Sequence, residues 1–166
     1  GLLDAEQSAL VAARLVSPEL DSGYGLRTMS TDADGYWPLS YHGGSVWTHD
    51  TAIAVLGLAR DGFGAEAATL ADGLLRSAEG FDYRMPELHG GYAVDEARSP
   101  VPYPAACRPQ AWSAAAAIAV TTAALGLEPD AASGSVRSTP IAEFGQVAVS
   151  GTRAGPRTGA ASGDCP

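Results

Sequence analysis

Two stretches of this 166-residue chain, 47–60 and 109–125, have almost no polar face. In the first, Ala52, Ile53, Ala54, Val55, Leu56, Leu58 and Ala59 crowd every side of a helical wheel. The second carries no charge as far as Leu127, and alanine is its commonest residue. A helix that is apolar all round belongs inside a structure, so both are expected as inner helices. Each follows a long segment without helical period, 17–45 and 80–108, rich in Gly and aromatic residues. The chain must therefore deliver two irregular segments to the entrances of two buried rods.

Two further helices are expected outside them. Asp4 can cap a helix that runs to about Val16, with Gln7 completing a capping box and Pro18 closing it. After the turn at Asp61-Gly62-Phe63-Gly64, the residues Ala67, Leu70, Ala71, Leu74, Leu75 and Ala78 recur at helical spacing. Glu66, Thr69, Asp72 and Arg76 take the other side, which makes this helix amphipathic and peripheral. Pro109 suits the first position of the last helix and Gly126 its stop. The order is outer, loop, inner, turn, outer, loop, inner, an αα-hairpin rhythm that gathers both loops and both inner N-termini on one face. Beyond Glu128 the composition shifts to Gly, Ser, Thr and Ala. Residues 135–139 and 146–150 are expected as two short strands of one hairpin, and 151–166 as a frayed, flexible tail.

A net charge of -9, with ten arginines and no lysine scattered from Arg14 to Arg157, repels phosphate backbones and argues against nucleic acid. The charge-free stretch 109–127 approaches bilayer length, but Gln110, Ser113, Thr121 and Thr122 interrupt it. It reads as a buried helix of a soluble domain rather than a membrane span. Cys107 and Cys165 are far apart and read as free thiols of a reducing compartment. The start Gly1-Leu2-Leu3 has no basic leader, which places the protein in the cytoplasm and suggests the middle of a longer chain.

The chemistry-bearing residues gather in the loops. The run Ser40-Tyr41-His42-Gly43-Gly44-Ser45-Val46-Trp47-Thr48-His49-Asp50 sets two histidines, a Tyr, a Trp and a carboxylate at an inner-helix entrance. Polar groups interleaved with rings suit a sugar, whose hydroxyls need hydrogen bonds and whose C–H faces stack on aromatics. Read singly, Thr48 is a cap, Asp50 complements the helix dipole and His49 is a satisfied polar residue. In Met85-Pro86-Glu87-Leu88, Glu87 follows a stiffening proline and can be held as a base, or it is a surface carboxylate paired with Arg84. Tyr103, Gln110 and Trp112 stand at the second entrance, where Trp112 reads equally as core packing. The three histidines and Cys107 have no metal-site spacing, and no phosphate loop or nucleophile elbow appears, so neither a metal nor a cofactor is expected.

Four segments, Ser22-Gly23-Tyr24-Gly25-Leu26-Arg27-Thr28, the run from Ser40 to Asp50, Met85-Pro86-Glu87-Leu88, and the run from Pro102 to Trp112, carry a resemblance. In order and spacing they resemble the C-terminal part of bacterial amylo-α-1,6-glucosidase, or glycogen-debranching-like proteins. These are similar to the mannosylglycerate-hydrolase-like and glucoamylase-like six-hairpin glycosidases. The resemblance implies an all-α fold, the C-terminal portion of an (α/α)6 barrel or α/α toroid over residues 1–127, ahead of the short β-hairpin that the composition suggests over 128–150. It implies an inverting hydrolase of α-linked glucosides with Glu87 as general base and no cofactor. Tyr41, His42, Trp47, His49, Asp50, Gln110 and Trp112 would shape the sugar subsite. In such relatives the general acid lies in a loop upstream of the point where this chain begins, and a full barrel has twelve helices where this chain has four. The chain is therefore expected to be incomplete, and hydrolysis of a glucoside by this piece alone is not expected. Thr48 stands where such relatives usually have proline. A fragment of this kind is expected to expose apolar flanks of its inner helices and to self-associate through them. Two other readings stay open: a noncatalytic carbohydrate-binding remnant, and a helical structural module in which the same residues only pack.

Overall fold

The computed structural model describes residues 2–154 and 157–163. Four helices form its body: α1 (Ala5–Leu15), α2 (Thr48–Arg60), α3 (Gly64–Glu79) and α4 (Ala111–Ala124). Local chemistry fixes the first end: the Gln7 amide donates to Asp4 Oδ1 at 2.9 Å and the Asp4 amide donates to Gln7 Oε1 at 3.0 Å. At the other end of the helical region Gly126, at φ 53°, turns the chain out of α4. A side chain there would overlap the Thr139 carbonyl, so glycine is required twice over.

Helix α2 is the centre and packs against both α3 and α4. Val55 and Leu58 of α2 meet Ala67, Leu70 and Ala71 of α3, with Ala12 of α1 and Ala123 of α4 closing the cluster. The alanines let the helices approach closely, while Val55 and Leu70, both fully buried, each contribute ~1.5–3 kcal/mol by leaving water. On α3 the buried residues Ala67, Leu70, Ala71, Leu74 and Ala78 follow the expected stripe. Leu75 departs from it and is exposed.

The inner helices are less enclosed than their composition suggests. Only Ser113, Ala116, Ala123 and Ala124 of α4 are buried, and Trp112 and Ile118 are 60% and 70% exposed. Ile53 of α2 is likewise open. The reason is geometric: α2 and α3 cover one side of α4, and among the described residues nothing covers the other. Helix α4 also begins later than expected. Gln110 is extended, at φ -135° and ψ 129°, and takes the N-cap, which leaves Pro109 before the helix. None of the described helices is long and apolar enough to cross a membrane.

The loops carry a ladder that composition hid. Strand β1 (Val46–Trp47) pairs antiparallel with β2 (Leu88–His89), Val46 opposite His89 and Trp47 opposite Leu88. Single bridges extend it on both sides, from Arg27 to Val46 and from His89 to Pro102. The buried Arg27 guanidinium locks it, donating to the carbonyls of Gly91 at 2.6 Å, Pro18 at 2.8 Å and Asp21 at 3.0 Å. The two His-Gly-Gly runs, 42–44 and 89–91, meet where a Cβ on Gly91 would overlap the Gly44 carbonyl oxygen. Gly91→Ala is expected to cost ~1–3 kcal/mol through overpacking. Gly57→Ala, inside α2 with nothing within 4 Å, is expected to stabilise by ~0.5–1 kcal/mol. Urea midpoints moving in opposite directions check the pair.

The C-terminal region corrects the expected hairpin. Residues near 135–139 and 146–150 are strand, but they do not pair with each other. Strand β3 (Leu127–Asp130) pairs with β4 (Ser135–Ser138), and β5 (Val147–Ala154) with β6 (Arg157–Gly163), around a short 3-10 turn at Ala142–Phe144. Adjacent segments pair because the connections are short, Asp130 turning back through hydrogen bonds from Ala132 and Ser133. Strand thus continues beyond Gly151, where a frayed tail is expected; residues 155, 156 and 164–166, and with them Cys165, lie outside the described residues.

Candidate active site

The ladder brings Glu87 to the entrance of α2. Its carbonyl accepts from the Thr48 amide at 3.3 Å, and the Thr48 hydroxyl donates to the Pro86 carbonyl at 2.8 Å. From the far side, the Glu87 amide donates to the Cys107 carbonyl at 3.0 Å. The main chain of Glu87 is thereby fixed between the two loops, and its side chain is buried.

Both carboxylate oxygens are occupied. Tyr41 donates its hydroxyl to Oε1 at 3.0 Å, and the Cys107 amide donates to Oε2 at 3.1 Å. The Cys107 amide, and after it the Tyr41 hydroxyl, hold the carboxyl below its ordinary 4.5 against the opposing effect of desolvation. The same bond raises the Tyr41 phenol above its ordinary 10.0. Glu87 is therefore an oriented, ionised carboxylate at neutral pH. Arg84 does not pair with it: among the described residues no guanidinium forms a salt bridge to Glu87.

Rings surround this carboxylate. Tyr41 lies edge-on to Trp47 and to His42, each at 4.6 Å between centroids, while His42 stacks on Trp47 at 5.3 Å with 13° between planes. The Trp47 indole N–H donates to the Tyr41 carbonyl at 2.7 Å, which fixes the loop that carries the phenol. His49 stands edge-on to Trp47 at 5.5 Å and lies beneath Trp112 of α4 at 4.3 Å. Asp50 is exposed in the first turn of α2, its Oδ1 3.4 Å from His49 Nε2. Tyr41, His42, Trp47, His49, Asp50, Trp112 and Glu87 thus form one continuous cluster from three segments of chain.

Gln110 does not join that cluster through any hydrogen bond. Its Oε1 accepts from the Ser113 hydroxyl at 2.8 Å, and it lines a groove of about 550 Å³ between α3 and α4, with Leu74, Met85 and Val120. No carboxylate or imidazole lines that groove; its ionisable lining side chains are Tyr83 and Arg84. Tyr103, 5.9 Å from Tyr41 between centroids, extends the ring cluster instead. The Cys107 amide is the contact that sequence reading missed: a main-chain donor leaves no mark in residue identity. Among the described residues no three His, Cys, Asp or Glu side chains converge on a common point.

His89 is the contrasting histidine. It is fully buried, its Nδ1–H donating to the Gly90 carbonyl at 2.9 Å and its Nε2 accepting from the Ser77 hydroxyl at 3.0 Å. Desolvation pushes its pKa down to about 4. Both nitrogens are spent on the fold, which makes His89 the pin of β2 rather than a reacting group. No protein-family model matches the chain, and no curated protein matches it.

Proposed function

We propose that this chain is the base-bearing part of an inverting glycoside hydrolase acting on α-linked glucosides, of the amylo-α-1,6-glucosidase-like, six-hairpin type. The observation that carries the reading is the Glu87 carboxylate, ionised and held by two donors inside a cluster of sugar-compatible rings. The open flanks of α2 and α4 are where further inner helices of an (α/α)6 barrel would pack. In this scheme the ring face of a glucosyl unit lies against the exposed Trp112. Glu87 takes a proton from water as its oxygen attacks the anomeric carbon, and the aglycone leaves from the opposite face. A second carboxyl, about 6.5–9.5 Å from Glu87 and supplied by another part of the barrel, protonates the leaving oxygen.

α-Glucosyl fluoride tests the base half by itself, because fluoride leaves without needing a proton. Water attacks C1, Glu87 accepts the proton, the C1–F bond breaks, and the first product is β-glucose. The chain is expected to release fluoride and β-glucose, followed by fluoride electrode and proton NMR, and to quench Trp fluorescence on binding maltotriose. α-Glucose as first product would overturn inversion. Maltotriose binding without fluoride release would select the noncatalytic carbohydrate-binding reading, and neither response would leave the helical structural module.

A further inference from the structure

Resting on that reading of the site, we infer that His49 reads a ring hydroxyl of the glucosyl unit placed before Glu87. The assignment starts from what His49 does not do. Its side chain is 8% exposed, yet among the described residues neither ring nitrogen has a hydrogen-bond partner. Nδ1 is sealed from solvent with nothing to bond, and Nε2 has only the long 3.4 Å approach of the exposed Asp50 carboxylate. His89, a few residues of ladder away, shows how this fold treats a histidine it uses for stability: both nitrogens are satisfied. Buried polar atoms are nearly always paired, so an unspent imidazole at a ligand-facing cluster marks a bond made to something else.

The surroundings say what that partner is. His49 is flanked by rings, edge-on to Trp47 and beneath Trp112, and Trp112 is largely exposed. A sugar laid on such rings presents hydroxyls at its rim. A half-turn of the imidazole about Cβ–Cγ preserves its packing and carries the unspent nitrogen to the opposite edge, so either nitrogen can meet a hydroxyl. The Asp50 carboxylate beside Nε2 can accept from the same or the adjacent hydroxyl. The first turn of α2 thereby becomes the element that selects among hexoses, while Glu87, just ahead of β2, carries the chemistry.

The test crosses protein variants with deoxygenated substrates. Initial rates are measured for α-glucosyl fluoride and its 2-, 3-, 4- and 6-deoxy analogues with the wild-type chain, His49→Phe and His49→Gln. Wild type is expected to lose ~10–100-fold in kcat/KM on one analogue, the effect of leaving one buried hydrogen-bonding group without its partner. His49→Phe, which keeps a ring under Trp112, is expected to lose a similar factor on the parent fluoride and nothing further on that same analogue. His49→Gln is expected to recover part of the loss on the parent alone. A His49→Phe deficit of equal size on the parent and on every analogue, or no deficit, overturns the role of His49 and leaves Glu87 untouched. If maltotriose binds without turnover, the same cycle is read in Kd with deoxygenated maltosides. A wild-type chain that neither hydrolyses the fluoride nor binds maltotriose overturns both readings.

Discussion

Replacing Glu87 by Gln is expected to lower fluoride release from α-glucosyl fluoride by about two to four orders of magnitude, the usual contribution of a positioned general base. The substitution keeps the shape and the Tyr41 and Cys107 contacts within reach, so the expected signature is a fall in kcat with KM little changed. The lowered pKa of Glu87 gives a second readout. A base works when deprotonated, so the rate is expected to be flat through neutral pH and to fall only once the pH drops below the ordinary carboxylate value. A Glu87→Gln chain that kept its rate would place the base elsewhere.

The second large effect is on stability in acid. His89 titrates near 4 in the folded chain against an ordinary 6.5, so between those values the unfolded chain binds a proton that the folded chain refuses. Folding free energy therefore falls as pH drops from about 6.5, and below about 4 the full cost, on the order of 3 kcal/mol, is present. Above 6.5 the cost is absent. His89→Gln loses packing at every pH but has no such penalty. The gap in unfolding free energy between wild type and variant is expected to narrow by that amount from pH 7 to pH 3.5, measured by urea unfolding. Carboxylates common to both chains cancel in the difference. A gap independent of pH would remove His89 as the acid-sensitive pin.

What could be read from residue order, and what could not, divides by distance along the chain. The Asp4–Gln7 capping box, the α3 stripe and the Gly126 stop are local, and each was legible because neighbours in sequence settle them. Trp47 and Glu87 could be named as candidates, but the register that sets Trp47 opposite Leu88, the residue after Glu87, depends on two rungs of antiparallel pairing between segments about 40 residues apart, which no short-range signal encodes. The strand segments near 135–139 and 146–150 were visible while their partners were not, since β3 holds Pro129 and Asp130 and β6 is mostly Gly, Ala and Ser, residues that do not favour strand. Gln110 shows the converse: its type suited a sugar, yet a hydroxyl three residues on satisfies its oxygen. The openness of α4 was legible only as a consequence of too few helices.

The two-rung ladder between β1 and β2 has a mechanical consequence. Thr48 is bonded both to Pro86 and to Glu87, so the first turn of α2 and the carboxylate move as one lever. A tilt of that helix, such as a neighbour pressing on its Ile53 side would impose, swings the carboxylate oxygens with it. On the proposed function, assembly and reactivity are therefore expected to be coupled through this one joint.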